Sequence, residues 1–110
     1  MGVEGEGIEF RAFRGDRRSS VYREYVIACA TFASVLAAAR EQGLPLLASL
    51  GARGGRRLEP DEADRLAREA SALGEELPSP TLAAHLAAIA DIARWCSRAR
   101  GRSWMTIAAS

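Results

Sequence analysis

The stretch SPTLAAHLAAIADIARWCSRARG, residues 79–101, carries the clearest structural signal in the chain. Ser79 is a good N-cap, and Pro80 suits a first helical position, where its missing N–H would have no partner anyway. Leu82, Leu86, Ile89, Ala93 and Cys96 recur at steps of three and four, the spacing of one helical face. Ile92 and Trp95 widen that face. Gly101 reads as a left-handed stop, and Arg94, Arg98 and Arg100 crowd the end where the helix dipole favours positive charge. The many alanines between them predict close packing on more than one side.

Outward from this helix the chain reads as one domain of 110 residues, with 48% apolar residues and a net charge of +1. That length supports a modest single core. A near-neutral charge favours neither nucleic acid nor an acidic surface in bulk. All 15 basic residues are arginine, and lysine and asparagine are absent, so arginine richness by itself carries little functional weight.

On the N-terminal side, residues 1–7 read as a flexible, acidic segment. Residues 8–14, IEFRAFR, alternate like a half-buried strand. Gly15, Asp16, Arg17 and Arg18 form a turn. From Ser19 or Ser20, the stripe Tyr22, Tyr25, Val26, Cys29, Phe32, Ala33, Leu36 and Ala39 predicts one helix of about 23 residues, or about 35 Å, ended by Gly43 and Pro45. Residues 44–50 fit either a helical turn or an extended segment. Residues 51–57, GARGGRR, read as a mobile basic loop. A further helix begins near Glu59 and Pro60, with Asp61, Glu62 and Asp64 at its positive end, and Gly74 as its stop. Beyond the central helix, Trp104, Met105, Thr106 and Ile107 form a closing strand. The two terminal strands are expected to pair. The fold class is therefore α+β, mostly α: a three-helix core with short N- and C-terminal strands.

Charge is segregated. Residues 59–76 hold seven acids against Arg65 and Arg68, whereas residues 11–18, 53–57 and 94–102 are basic runs. Such surfaces either polarise the molecule or meet as salt bridges and self-association contacts.

Catalytic patterns are sparse. His85 is the only histidine, and Asp91 lies roughly on the opposite side of its helix, so no acid is placed to orient a general base. There is no Gly-x-Ser-x-Gly elbow, no P-loop and no zinc-ligand spacing. Asp61 and Asp64 lack the rest of a calcium loop. Arg14-Gly15-Asp16 spells an adhesion tripeptide by coincidence. Cys29 and Cys96 both fall on apolar helical faces and read as small buried thiols of a reducing compartment. No catalytic residue, metal or cofactor is assigned. Without a recognisable leader or an apolar span of membrane length, the expectation is a cytoplasmic protein that does not enter a membrane.

The chain resembles a loose group of small actinobacterial proteins over most of its length. The resemblance rests on Leu44-Pro45-Leu46-Leu47, Leu58-Glu59-Pro60-Asp61-Glu62 and Ser103-Trp104-Met105. Where that group often carries Asp-Pro-Tyr-Gly-Asp, this chain has Gly51-Ala52-Arg53-Gly54-Gly55. The resemblance implies no activity.

The most suggestive constellation is Arg94, Trp95, Arg98, Arg100, Arg102 and Trp104, with Arg53, Arg56 and Arg57 as a second basic group. Arginine and tryptophan dominate interface hot spots. The favoured function is a non-enzymatic protein-interaction module, such as an immunity, antitoxin-like or regulatory subunit. Its partner would be another protein or a second copy of the chain. The alternatives are a nucleic-acid-binding module using the same Arg/Trp cluster for phosphate contact and stacking, and a small enzyme of unknown class.

Overall fold

The computed structural model describes residues 7–15, 21–51, 55–98 and 102–109. Its elements are β1 (Gly7–Arg14), β2 (Val21–Ala28), α1 (Cys29–Glu41), α2 (Pro45–Ser49), β3 (Arg56–Leu58), α3 (Pro60–Glu76), α4 (Pro80–Ser97) and β4 (Ser103–Ala109). The fold is α+β and mostly α. The terminal strands β1 and β4 pair antiparallel at the centre of a four-stranded sheet of order β2-β1-β4-β3.

Strand alternation decides which side of the sheet is covered. Phe10 on β1 lies in register with Tyr25 on β2 and Ile107 on β4, and Ala12 lies between Arg23 and Met105. Phe10, Ala12, Ile27, Met105, Ile107 and Leu58 belong to the same core as the buried residues of α1, α3 and α4. Arg11, Glu24 and Val26 point the other way and are exposed, so all the helices lie on one face.

Two helices match the sequence reading closely. Ser79 caps α4, its hydroxyl accepting from Leu82 N–H at 3.2 Å. Leu86, Ile89, Ile92, Ala93 and Cys96 are buried. α3 begins at Pro60, and the Glu62 side chain accepts from Glu59 N–H at 3.1 Å. Leu58 and Ala63, which flank that start, are both buried in the core. However, α3 does not stop at Gly74. It runs through to Glu76 and ends at Leu77, which is held extended before Pro78. Gly74 instead faces α4, where a Cβ would stand 3.6 Å from that of Leu86.

The long first helix is a correction. Residues 21–28 form β2, and only Cys29–Glu41 are helical. Tyr22, Tyr25, Val26 and Cys29 fit a helical stripe by spacing, but the segment is also rich in β-branched and aromatic residues. Eight consecutive register pairs with β1 settle the choice as a hairpin. Cys29 is consequently exposed at the first turn of α1 rather than buried, whereas Cys96 is buried as expected. The end of α1 is as read: Gly43 takes φ 70°, Leu44 N–H bonds Ala39 O at 2.9 Å, and Gly43 N–H bonds Arg40 O at 3.2 Å. This double bond pattern closes the helix.

Residues 51–57 are not wholly a loop. Arg56 and Arg57 enter β3, which pairs with β4 and buries Leu58. Arg53 lies outside the described residues, as do residues 1–6, Arg100 and Gly101. The ambiguous segment 44–50 resolves as the short helix α2.

Candidate functional site

Three carbonyls at the end of α4 find partners. Arg94 O accepts from Arg98 N–H and from the Ser97 hydroxyl, Cys96 O accepts from the Ser103 hydroxyl at 2.9 Å, and Trp95 O accepts from Arg14 at 2.8 Å. The last of these bonds crosses from β1 to α4 and builds the site. It brings the Arg14 guanidinium over the half-buried Trp95 ring, 4.1 Å from its centroid. Arg23 from β2 lies over the same ring at 5.2 Å. Arg14 and Arg23 reach it because alternate residues of β1 and β2 face the helices, and Arg14 follows Ala12 on that side.

Among the described residues, Arg14, Arg23, Arg94, Trp95 and Arg98 line one cleft of about 490 Å³, with Asp91 as the one acid. Arg94 is occupied: it bonds Ser71 at 2.6 Å and Asp91 at 3.4 Å. Among the described residues, no carboxylate pairs with Arg14, Arg23 or Arg98. The Nε of Arg14 is buried without a hydrogen-bond partner. A broader cleft of about 630 Å³ between α3 and α4 shares Arg94 and Arg98, but Asp61, Asp64 and Glu75 balance its charge.

The structure splits the Arg/Trp constellation expected from sequence. Arg94, Trp95 and Arg98 meet in the cleft. Trp104 lies on the opposite, uncovered face of the sheet, stacked on Phe13 with centroids 5.2 Å apart and planes at 16°. Arg57, from the strand on the other side of β4, lies 4.9 Å over the Trp104 ring and pairs with Glu59 at 3.0 Å. Arg56 bonds the Ser49 hydroxyl and serves the fold. Arg102 is exposed just before β4. Arg53 and Arg100 lie outside the described residues. Arg14 and Arg23 are the residues that sequence reasoning missed. Their signal was the alternation of the hairpin, even positions on β1 and odd positions on β2; reading β2 as helix hides Arg23.

His85 is part of a structural fastener. Tyr25 on β2 hydrogen-bonds His85 Nδ1 on α4. Burial raises the Tyr25 phenol above its ordinary value of 10.0, so the hydroxyl stays protonated in this bond. Tyr25→Phe is expected to destabilise the protein by about 1 kcal/mol in urea unfolding at neutral pH. Because the folded-state value is raised, the titration-linked stability is complete below pH 10 and falls as pH rises past it. The Tyr25→Phe protein should lose that alkaline decline.

Among the described residues, no cluster of three or more His, Cys, Asp or Glu could hold a metal ion. No helix among them is long and apolar enough to cross a membrane. The chain thus defines an α+β domain with helices on one face of an antiparallel sheet and an arginine-lined cleft at one end of its last helix. No protein-family model, curated protein or solved structure matches it.

Proposed function

We propose that the protein is a non-enzymatic interaction module whose Trp95 cleft docks an acidic segment of a partner protein, as an immunity, antitoxin-like or regulatory subunit would. The observation that carries this reading is the set of three guanidiniums, Arg14, Arg23 and Arg98, that line one cleft with no salt bridge to a carboxylate among the described residues. Cation–π contact with Trp95 holds two of them in place before any partner arrives. Arg23, stacked on the ring, keeps its N–H edge for a carboxylate, Arg14 keeps the N–H groups not bound to Trp95 O, and less side-chain freedom is lost on binding. The negative end of the α4 dipole, roughly half a charge, offsets less than one of these cations.

The nucleic-acid alternative needs open aromatic faces. Trp104 stands between Phe13 and Arg57, and Trp95 is covered by Arg14 and Arg23, so both rings are already stacked within the chain.

The test is titration of the full chain with a Glu/Asp-rich peptide, read by Trp fluorescence and calorimetry at two salt concentrations. Binding should weaken with salt and fall by about a hundredfold in the Arg23→Glu/Arg98→Glu protein, as for charge pairs worth about 2–5 kcal/mol. Trp104→Ala, on the far face, should leave it unchanged. Absence of binding at low salt, or affinity indifferent to the charge reversal, rejects the reading. Tighter salt-dependent retention of single-stranded oligonucleotides would put the nucleic-acid alternative in its place.

A further inference from the structure

Resting on the reading of the cleft as a dock for an acidic partner, we infer that the group it accommodates is a phosphoryl dianion carried on the partner polypeptide, not a carboxylate. The argument is one of charge and acceptor count. Among the described residues, four arginines and one aspartate line the cleft, and Arg94 is engaged with Asp91 and Ser71. Arg14, Arg23 and Arg98 remain. A carboxylate brings one charge and two oxygens, and leaves guanidiniums uncompensated. A phosphorylated side chain brings about −1.5 to −2 charges and three acceptor oxygens, enough for the forks of Arg23 and Arg98 and for the N–H groups that Arg14 has left after its bond to Trp95 O. Arginine clusters are suited to this task because the planar fork matches phosphoryl oxygens two at a time.

Placement strengthens the match. Arg14 is only partly exposed, and its bond to Trp95 O ties it to the end of α4. Its charge is therefore less screened than that of a free surface arginine. Arg23 lies over the same ring. Arg98, exposed at the helix end, is the third arm of the cleft.

The experiment uses the full chain and three peptides of one sequence, with a central phosphoserine, glutamate or serine, titrated by calorimetry. Inorganic phosphate is included as a competitor. The phosphoserine peptide should bind about tenfold or more tightly than the glutamate peptide, and the serine peptide least. Inorganic phosphate should displace it. Arg23→Ala and Arg98→Ala should each erase that preference, and Arg23→Lys should not restore it, because lysine keeps the charge but loses the fork. Both positions are exposed, so these variants should melt like the parent. Equal affinity for the phosphoserine and glutamate peptides overturns the phosphoryl assignment and leaves the acidic-partner reading intact. Failure of both peptides to bind overturns both.

Discussion

Phe10→Ala is expected to destabilise the protein by about 3–5 kcal/mol, the range for removing a buried aromatic ring from a packed core. Phe10 is fully buried on β1, a central strand. Its ring meets Phe32 of α1 edge to face, with centroids 5.6 Å apart and planes at 76°. On either side lie Tyr25 and Ile107. The ring therefore joins three strands to a helix. Domains of this size have about 5–15 kcal/mol in total, so the loss is a large fraction of stability. Urea unfolding followed by Trp fluorescence measures it. Val26→Ala on the uncovered face, where Val26 is 50% exposed, is the control and should change stability by about 0.5 kcal/mol or less. A Phe10→Ala loss under about 1 kcal/mol would mean that the sheet is not the floor of the core.

The elements legible in sequence were those whose signals agree at every level. In α4, the cap Ser79, the proline after it and the apolar ladder all point to one helix, and the structure has that helix. The pairing of the terminal strands was legible because the sequence offers one strand-like segment at each end of the chain, though each also takes a second partner, β2 or β3. β2 failed for a physical reason. Over residues 21–29, periods of 2 and 3.6 both place apolar residues at acceptable positions, so spacing alone cannot decide. The decision is made by strand pairing to β1, a non-local contact that no window of sequence contains. β3 was hidden because three residues are too few to show a period, and its glycine-rich approach resembles any loop. The site inherited these errors. Arg94, Trp95 and Arg98 were found from one helix turn, but Arg14 and Arg23 join them only through the hairpin register. Trp104 was grouped with Trp95 by nearness in sequence. Strand β4 places it on the far face, because its neighbours Ser103 and Met105 occupy the covered one.

Glu69→Ala is expected to cost about 2–3 kcal/mol, through the loss of a cap that one helix provides for another. The short α2 has no side-chain cap of its own, since Leu44 holds the capping position. Glu69, buried on α3, supplies the acceptor instead. Its carboxylate takes the Leu47 N–H at 2.8 Å and the Leu46 N–H at 3.4 Å. Both leucines are buried, so removing the carboxylate leaves two amides without water to replace it. The position also favours a negative charge, as helix N-termini do, though a five-residue helix has only a small dipole. Glu69→Gln keeps one acceptor oxygen and loses the charge, so about half the cost should return. Arg65 pairs with Glu69 at 3.4 Å but is 61% exposed, and Arg65→Ala should cost about 0.5 kcal/mol or less. Urea unfolding ranks the three variants, and hydrogen exchange at Leu46 and Leu47 locates the effect, with both amides exchanging faster in Glu69→Ala. If Arg65→Ala matched Glu69→Ala, the ion pair rather than the cap would hold α2 in place. If Glu69→Ala left both amides protected, α2 would owe its position to Leu46 and Leu47 packing alone.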